Sequence, residues 1–151
     1  MNPTDTTEDG YVSSEMYTTG LDQAKTKIHA DFAGRVLTHR RWLSNETSSG
    51  GDASGAAWVD SDVELMNEVM VYGSIAFGSS IVGGSGYNIG VDKVQLPLFA
   101  LRPDLISIRT QWWLRDIISG GQRFAVVTHN SIPLVNTAST ALGVRPVFSI
   151  S

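Results

Sequence analysis

The sequence predicts an α+β fold, with two helices early in the chain and several short strands late. The first observation is a globular composition, because the 151 residues are 42% hydrophobic and 17% charged. The second is the pattern of apolar residues, which recur at spacings of three and four near the start and form short runs near the end. The third is the presence of 15 glycines, which is typical of a fold rich in turns.

The first predicted helix follows a polar segment, 1–12, that we interpret as a flexible lead-in to a single domain over 13–151. Ser13 or Ser14 can cap this helix, and Gly34 is well placed to end it. Its apolar side follows helical spacing through Tyr17, Leu21, Ala24, Ile28 and Phe32.

A second helix is predicted after a short strand at 56–59. Asp60 or Ser61 is expected to cap it, and its apolar residues run from Val63 to Met70. Tyr72-Gly73-Ser74 is expected to close it.

The rest of the chain is divided into loops and short strands. Segments 44–55 and 78–90 are rich in Gly and Ser and are predicted to be loops. Residues 96–101 form a compact apolar segment. Strands are predicted at 111–117, 124–128 and 144–150, with turns between them, including the whole of 128–140.

Composition argues against several classes of function. The net charge is −4 and no basic stripe occurs, whereas proteins that bind nucleic acid usually carry one. No apolar run of 18 residues is present, so we expect no membrane insertion. Cysteine is absent, which excludes disulfides, thiol nucleophiles and thiolate metal sites.

Catalytic motifs are also missing. The glycines at 84–90 do not match a dinucleotide fingerprint, since the third glycine comes one residue too late. His29, His39 and His129 form neither a metalloprotease motif nor a serine triad. Pairs of carboxylates such as Asp60 and Asp62, or Asp104 and Asp116, are more typical of caps and turns than of acid–base catalysis. We therefore predict a protein that is not an enzyme and has no cofactor or metal.

The last third of the chain carries a recognisable pattern. Trp112-Trp113-Leu114-Arg115-Asp116, Phe124-Ala125-Val126-Val127 and Gly143-Val144-Arg145-Pro146-Val147-Phe148 follow one another, with supporting segments at 65–74 and 95–101. Together they resemble the C-type lectin-like domain of tailed-phage and gut bacterial proteins. That domain is related to formylglycine-generating-enzyme-like folds and to the variable proteins of diversity-generating retroelements. The likeness spans about residues 10–151.

The resemblance implies a C-type lectin-like fold with two helices, a small and mostly antiparallel sheet, and long loops. Trp112, Leu114, Val144 and Phe148 are expected in the core. At least one of Arg115 and Arg145 is expected to bond a carboxylate or backbone carbonyls and so to fix the strands. The residues with an expected structural role are Trp112, Trp113, Arg115, Asp116 and Arg145.

Between the two anchored strands, the resemblance implies a free sequence on the protein surface. Asn, Ser, Thr and His at such positions suit adaptable hydrogen bonding to a ligand, although ordinary polar loops have the same composition. The candidate ligand-binding residues are Gln122, Arg123, Ala125, Val127, His129, Asn130, Ser131, Asn136, Thr137, Ser139 and Thr140.

The expected function is that of a receptor-binding or adhesive display domain of a bacteriophage virion protein, located on the virion surface and used in host attachment. Its expected partners are a bacterial surface protein or glycan and other virion proteins, and a homo-oligomer stays open. The calcium signatures of carbohydrate-binding relatives, Glu-Pro-Asn and Trp-Asn-Asp, do not occur. The alternative is a structural virion part, a head decoration or tail component without a specific ligand.

Overall fold

The computed structural model of the protein describes residues 1–7, 10–43, 46–47, 53–54, 57–77, 93–118 and 122–151. Within them, a π-helical turn at Met16–Gly20 precedes α1 (Asp22–Phe32), and α2 (Glu68–Tyr72) and α3 (Pro97–Leu101) are short, with a 3-10 turn at Pro103–Leu105. The strands are β1 (Val36–Leu37), β2 (His39–Leu43), β3 (Glu46–Thr47), β4 (Ala53–Ser54), β5 (Ala57–Ser61), β6 (Val63–Leu65), β7 (Trp112–Ile118), β8 (Arg123–Val127), β9 (Pro133–Thr137) and β10 (Pro146–Ile150). This mixture of a few helices and small antiparallel sheets confirms the α+β class.

The described strands form four small antiparallel sheets. Their orders are β1-β10-β6, β2-β5, β3-β4 and β7-β8-β9. In the last of these sheets β8 is central, and its register pairs Arg123 with Thr137 at one end and Val127 with Pro133 at the other. The strands β8 and β9 of this sheet therefore lie in the segment for which the resemblance implies a free sequence.

The first helix agrees with the sequence prediction at its C-terminal end and not at its start. The Ser14 hydroxyl accepts a hydrogen bond from the Tyr17 N–H (3.2 Å) ahead of the π-helical turn, whereas α1 itself begins at Asp22 without a capping side chain. At the other end Ala33 and Gly34 have positive φ angles of 42° and 81°, and the Ala33 N–H donates to the His29 carbonyl. The left-handed backbone at these two residues ends α1.

The second predicted helix is wrong over most of its length. Residues 63–65 form strand β6 instead, with all three side chains buried, and Phe148 of β10 pairs with Val63. An apolar run that is buried on both sides has no periodicity that separates a strand from a helix. The helix begins later, where Asn67 Oδ1 accepts the Met70 N–H (2.7 Å), and it ends at Gly73 as predicted.

Two further expectations are corrected by the structure. The segment 128–140 is not all turn, because it contains β9. Val144 is 38% exposed and lies outside β10, so it is not a core residue, and Phe148 is only half-buried, against Phe32 (5.1 Å between ring centroids). Trp112 and Leu114 are fully buried, as predicted.

The polar start of the chain is packed against the domain and is not a detached lead-in. Met1, Thr7 and Tyr11 are buried. The Asn2 N–H donates to the Ala138 carbonyl (2.9 Å), and the Tyr11 hydroxyl accepts the Leu65 N–H (2.9 Å). Apolar side chains spaced among polar ones are enough to join this segment to the core, which the composition alone does not reveal.

A buried carboxylate connects three of the sheets. Glu64 of β6 lies 2.8 Å from the Nε of Arg41 in β2 and 3.0 Å from an Nη of Arg115 in β7. Arg115 also donates to the Leu65 carbonyl (3.3 Å). Glu64 and Arg115 are 1% and 3% exposed, so both charges have left water and depend on each other. The prediction that an arginine next to the core bonds a carboxylate is confirmed for Arg115.

A hydrogen bond between His29 and Asp62 connects α1 to the residue between β5 and β6. His29 Nε2 lies 2.7 Å from Asp62 Oδ2, and Asp62 Oδ1 accepts the Val63 N–H (2.7 Å). Burial by itself would raise the pKa of Asp62, but these two hydrogen bonds outweigh it and hold the pKa of this carboxyl below its usual value. The charge of Lys25 acts in the same direction.

Replacing Glu64 with glutamine is expected to destabilise the protein by about 3–5 kcal/mol, because two buried guanidinium groups then face a neutral side chain. Urea unfolding followed by circular dichroism measures this cost. Asp31→Asn is the control, since it removes an exposed ion pair with Lys27 and should cost less than about 0.5 kcal/mol. Equal costs for the two variants would contradict a supporting role for Glu64.

Asp62→Asn is expected to change the acid stability of the protein. The folded-state pKa of Asp62 is lowered, so its stabilisation is present above the unfolded-state pKa of about 4 and is lost as the pH falls through the folded-state value. The variant should be less stable than wild type by up to about 1 kcal/mol near pH 6, and this gap should close as the pH falls through the folded-state pKa of Asp62. Urea midpoints across this range test the expectation, and a gap that persists at low pH would refute it.

Candidate binding surface

Strands β7 and β8 of the sheet β7-β8-β9 are buried on both faces. Trp113, Ile117, Phe124 and Val126 belong to one apolar cluster. Trp112, Leu114, Ala125 and Val127 belong to the other. A strand with both faces buried has no side chain to offer to a ligand, so these two strands can display residues only at their ends. The outer strand β9 is only half-buried, and Leu134 within it is 44% exposed.

This burial corrects two candidate residues. Ala125 and Val127 are 0% exposed and lie in the cluster that also contains Trp112. The expectation that they are surface positions is therefore wrong. Their position between Arg123 and His129 in the sequence suggested a surface, but β8 runs through the middle of its sheet.

The residues expected to be structural are all fixed by specific contacts. Asp116 is buried and its Oδ2 accepts the Glu68 N–H (2.7 Å), which fixes the start of α2 against β7. Arg145 donates to the Leu105 carbonyl (2.6 Å), and its guanidinium lies 4.9 Å from the ring centroid of Phe99 and 5.4 Å from that of Trp112. Loss of hydration lowers the pKa of Arg145.

The remaining candidate residues lie at two opposite ends of the sheet. β8 has five residues, so its first and last Cα atoms are about 13 Å apart. The end at Arg123 and the end at His129 therefore cannot form one small site. The Arg123 end carries Gln122, Arg123, Asn136, Thr137, Ser139 and Thr140, whereas the His129 end carries His129, Asn130 and Ser131.

At the Arg123 end, most polar side chains are used within the protein. Asn136 Oδ1 accepts the Thr137 N–H (2.9 Å) and the Thr140 hydroxyl (3.0 Å). Ser139 donates both its N–H (3.1 Å) and its hydroxyl to Asp5, and these bonds lower the pKa of Asp5. These contacts form a turn and hold the start of the chain. Gln122, Arg123 and Ser139 are exposed at this end, and Ser139 is already bonded to Asp5.

At the His129 end, a hairpin joins β8 to β9 and is organised by Thr128. The buried Thr128 hydroxyl donates to the Ile132 carbonyl (2.8 Å) and accepts the Ile132 N–H (3.0 Å). The backbone turns at Ser131, which has a φ of 65°. His129 and Asn130 are exposed at the tip, and the His129 carbonyl accepts the Ser107 hydroxyl.

A groove with a volume of about 600 Å³ lies beside this hairpin. One wall is formed by the segment before β7, and the opposite one by the segment before Val144. The sequence does not indicate this juxtaposition, because it depends on backbone hydrogen bonds of Gly143 to the neighbouring segment. The described residues that line the groove are Arg109, Thr110, Gln111, His129, Ala141, Leu142 and Gly143.

The described residues offer little in the way of other sites. No group of three or more His, Asp or Glu side chains among them is placed to hold a metal ion. In the same part of the chain, every helix lacks the length and apolar character needed to cross a membrane. Asp104, one of the weighed carboxylates, is paired with Arg102 (2.6 Å), which lowers the pKa of Asp104. The glycine-rich segment 84–90 and most of the loop at 44–55 lie outside the described residues.

Thr128→Val is expected to loosen the hairpin without changing the shape of the side chain. It removes the hydroxyl that bonds Ile132 in both directions, so we expect a loss of about 1–2 kcal/mol and faster amide exchange at Ser131 and Ile132. Thr26→Val on the exposed surface of α1 is the matched control. Hydrogen-exchange NMR on both variants is the measurement, and unchanged exchange at Ile132 would count against this role for Thr128.

Comparison with known proteins gives no relative for this chain: no protein-family model, no curated protein and no solved structure matches it.

Proposed function

We propose that the chain is a non-enzymatic binding domain that displays a polar surface at the His129 end of a rigid sheet. We further propose that it has a C-type lectin-like fold and belongs to a bacteriophage virion protein, on the virion surface. The resemblance of the segments 112–116 and 143–148 to phage and retroelement-diversified variable proteins supports the second step. The observation that carries the first is strand β8, buried from Phe124 to Val127, leading through Thr128 into a hairpin tip that exposes His129 and Asn130.

The two parts of this arrangement differ in how well they tolerate substitution. Truncating a buried side chain such as Trp112 or Trp113 costs about 3–5 kcal/mol. Changes at an exposed position such as His129 usually cost less than about 0.5 kcal/mol. The hairpin can therefore carry different side chains while the sheet below it stays the same, which is what a diversified binding surface requires.

The proposed partner is a protein or glycan on a bacterial surface. His129, Asn130 and Ser131 supply donors and acceptors on short side chains, which suits adaptable hydrogen bonding. A surface of this size binds weakly as a single copy. Many copies on one particle, held by other virion proteins, raise the effective concentration and hence the strength of attachment.

The alternative is a structural virion component without a specific ligand. The Arg123 end favours this alternative, because Asn136 and Ser139 form their hydrogen bonds with other residues of the chain. Side chains that are engaged in this way stabilise a loop and are not free to bind a partner. The two functions therefore make different predictions for the two ends of the sheet.

Binding of a multimerised domain to glycan arrays and to whole bacterial cells tests the proposal. His129→Ala is expected to weaken binding by about five- to tenfold, since it removes an exposed group at the hairpin tip. Gln122→Ala, at the opposite end of β8, should leave binding unchanged. Asn136→Ala should instead lower stability by about 1 kcal/mol, because it breaks two hydrogen bonds of a turn.

Absence of binding to every array and cell type would favour the structural alternative. Equal losses for Gln122→Ala and His129→Ala would show that the hairpin is not the binding surface.

A further inference from the structure

The groove beside the His129 hairpin has walls that are fixed by hydrogen bonds. The Gly143 N–H donates to the Gln111 carbonyl (2.9 Å), and the Trp113 N–H donates to the Gly143 carbonyl (3.1 Å). These bonds hold 141–143 beside the start of β7. The Ser107 hydroxyl holds the His129 backbone on the other side. A ligand therefore meets a groove that is already formed, which lowers the entropic cost of binding.

Among the described residues that line this groove, Arg109 carries the only formal charge. Arg109 is exposed and makes no ion pair with any of the described residues, and the exposed His129 lines the same groove. No Asp or Glu occurs among the described residues that line the groove. The whole chain has a net charge of −4, so this local positive charge differs from the rest of the molecule. Such a groove attracts anions and repels cations.

The other lining groups suit a sugar ring. Thr110 and Gln111 carry short polar side chains that can donate to and accept from hydroxyl groups. Leu142 and Ala141 supply an apolar wall on which the carbon face of a ring can pack. The volume of about 600 Å³ lies within the range of small-molecule sites, which runs from about 300 to 1,000 Å³.

An acidic peptide fits this place less well. A peptide that adds to a sheet needs free backbone groups at the edge of a strand. Next to the groove, the edge of β7 is already covered by Gly143. The Gly143 N–H donates to the Gln111 carbonyl, and the Gly143 carbonyl accepts the Trp113 N–H. A ligand with its own ring hydroxyls and one acidic group needs no such edge.

From these contacts we infer that the groove between Arg109 and His129 binds the acidic group of an anionic saccharide, a sugar that carries a carboxylate or a phosphate. This inference rests on the proposed function and names the class of its ligand. Arg109 forms the charged hydrogen bonds to the acidic group, since a guanidinium matches the geometry of carboxylate and phosphate oxygens. His129 and Gln111 contact the neighbouring hydroxyls.

Amide chemical-shift titrations of the whole chain test this inference with four probes: glucuronic acid, glucose 6-phosphate, glucose and a tetraglutamate peptide. We expect at least one of the two acidic sugars to shift the amides of 109–111, 129 and 141–143. The tighter of the two identifies the acidic group, carboxylate or phosphate. Glucose should bind at least about tenfold more weakly, because it lacks the charge that Arg109 recognises.

Arg109→Gln should weaken binding of the acidic sugar by about tenfold or more. Arg123→Gln is the matched control, because it removes an exposed arginine at the opposite end of the same sheet and should change the affinity by less than about twofold. Equal losses for the two variants would overturn the inference, since they would indicate attraction to the overall charge. The inference would also be overturned if glucose bound as tightly as the acidic sugars, or if tetraglutamate bound more tightly. It would be overturned as well if neither acidic sugar shifted the amides at about 20 mM, because the dissociation constant would then be too high for a specific site.

These outcomes separate the inference from the function on which it rests. Binding of the multimerised domain to cells or to neutral glycans, without a response to the acidic sugars, would refute the inference alone. A groove response to the acidic sugars without any attachment to cells or glycans would refute the proposed display function.

Discussion

The carboxylate of Glu64, held between Arg41 and Arg115, is the contact on which the rest of the structure depends. It joins β6, β2 and β7, which belong to three different sheets. A buried ion pair adds little net stability compared with apolar packing, but it permits few arrangements, because each charge must meet its partner. The triad therefore acts mainly on specificity: it fixes how small sheets, each with few strands, are placed against one another.

Other buried acidic groups continue this connection towards the candidate surface. Asp116 accepts the Glu68 N–H, and the Glu68 carboxylate accepts the N–H groups of Ala76 and Phe77. Each carboxylate thus holds a piece of backbone that is not in a sheet. β7 carries Asp116 as well as Arg115, so the strand that borders the groove is fixed along its length. The rigidity needed at the hairpin and groove comes from this polar network together with the two tryptophans.

The sequence predicts features that depend on local chemistry. The C-terminal end of α1, the closing Gly73, the late strands and the buried tryptophans depend on a few neighbouring residues, and the structure agrees with them. It fails where the outcome depends on distant partners. Residues 63–65 form a strand because β10 pairs with them, and Met1 and Tyr11 are buried because other segments cover them. Ala125, which the resemblance places in a free surface segment, is buried because β8 runs through the middle of its sheet. Arg109 and His129 line one groove only because the folded chain brings their segments together.

The outer strand β9 of the sheet β7-β8-β9 affects how copies of the protein behave when they are close together. β9 begins with Pro133, which has no N–H, and the Thr137 N–H near its other end is already taken by Asn136. An incoming strand would find few donors along this side, and such blocked borders are a known defence against strand-to-strand aggregation. Many copies can thus be held close together without fusing through their sheets, and this holds whichever side chains occupy the neighbouring hairpin.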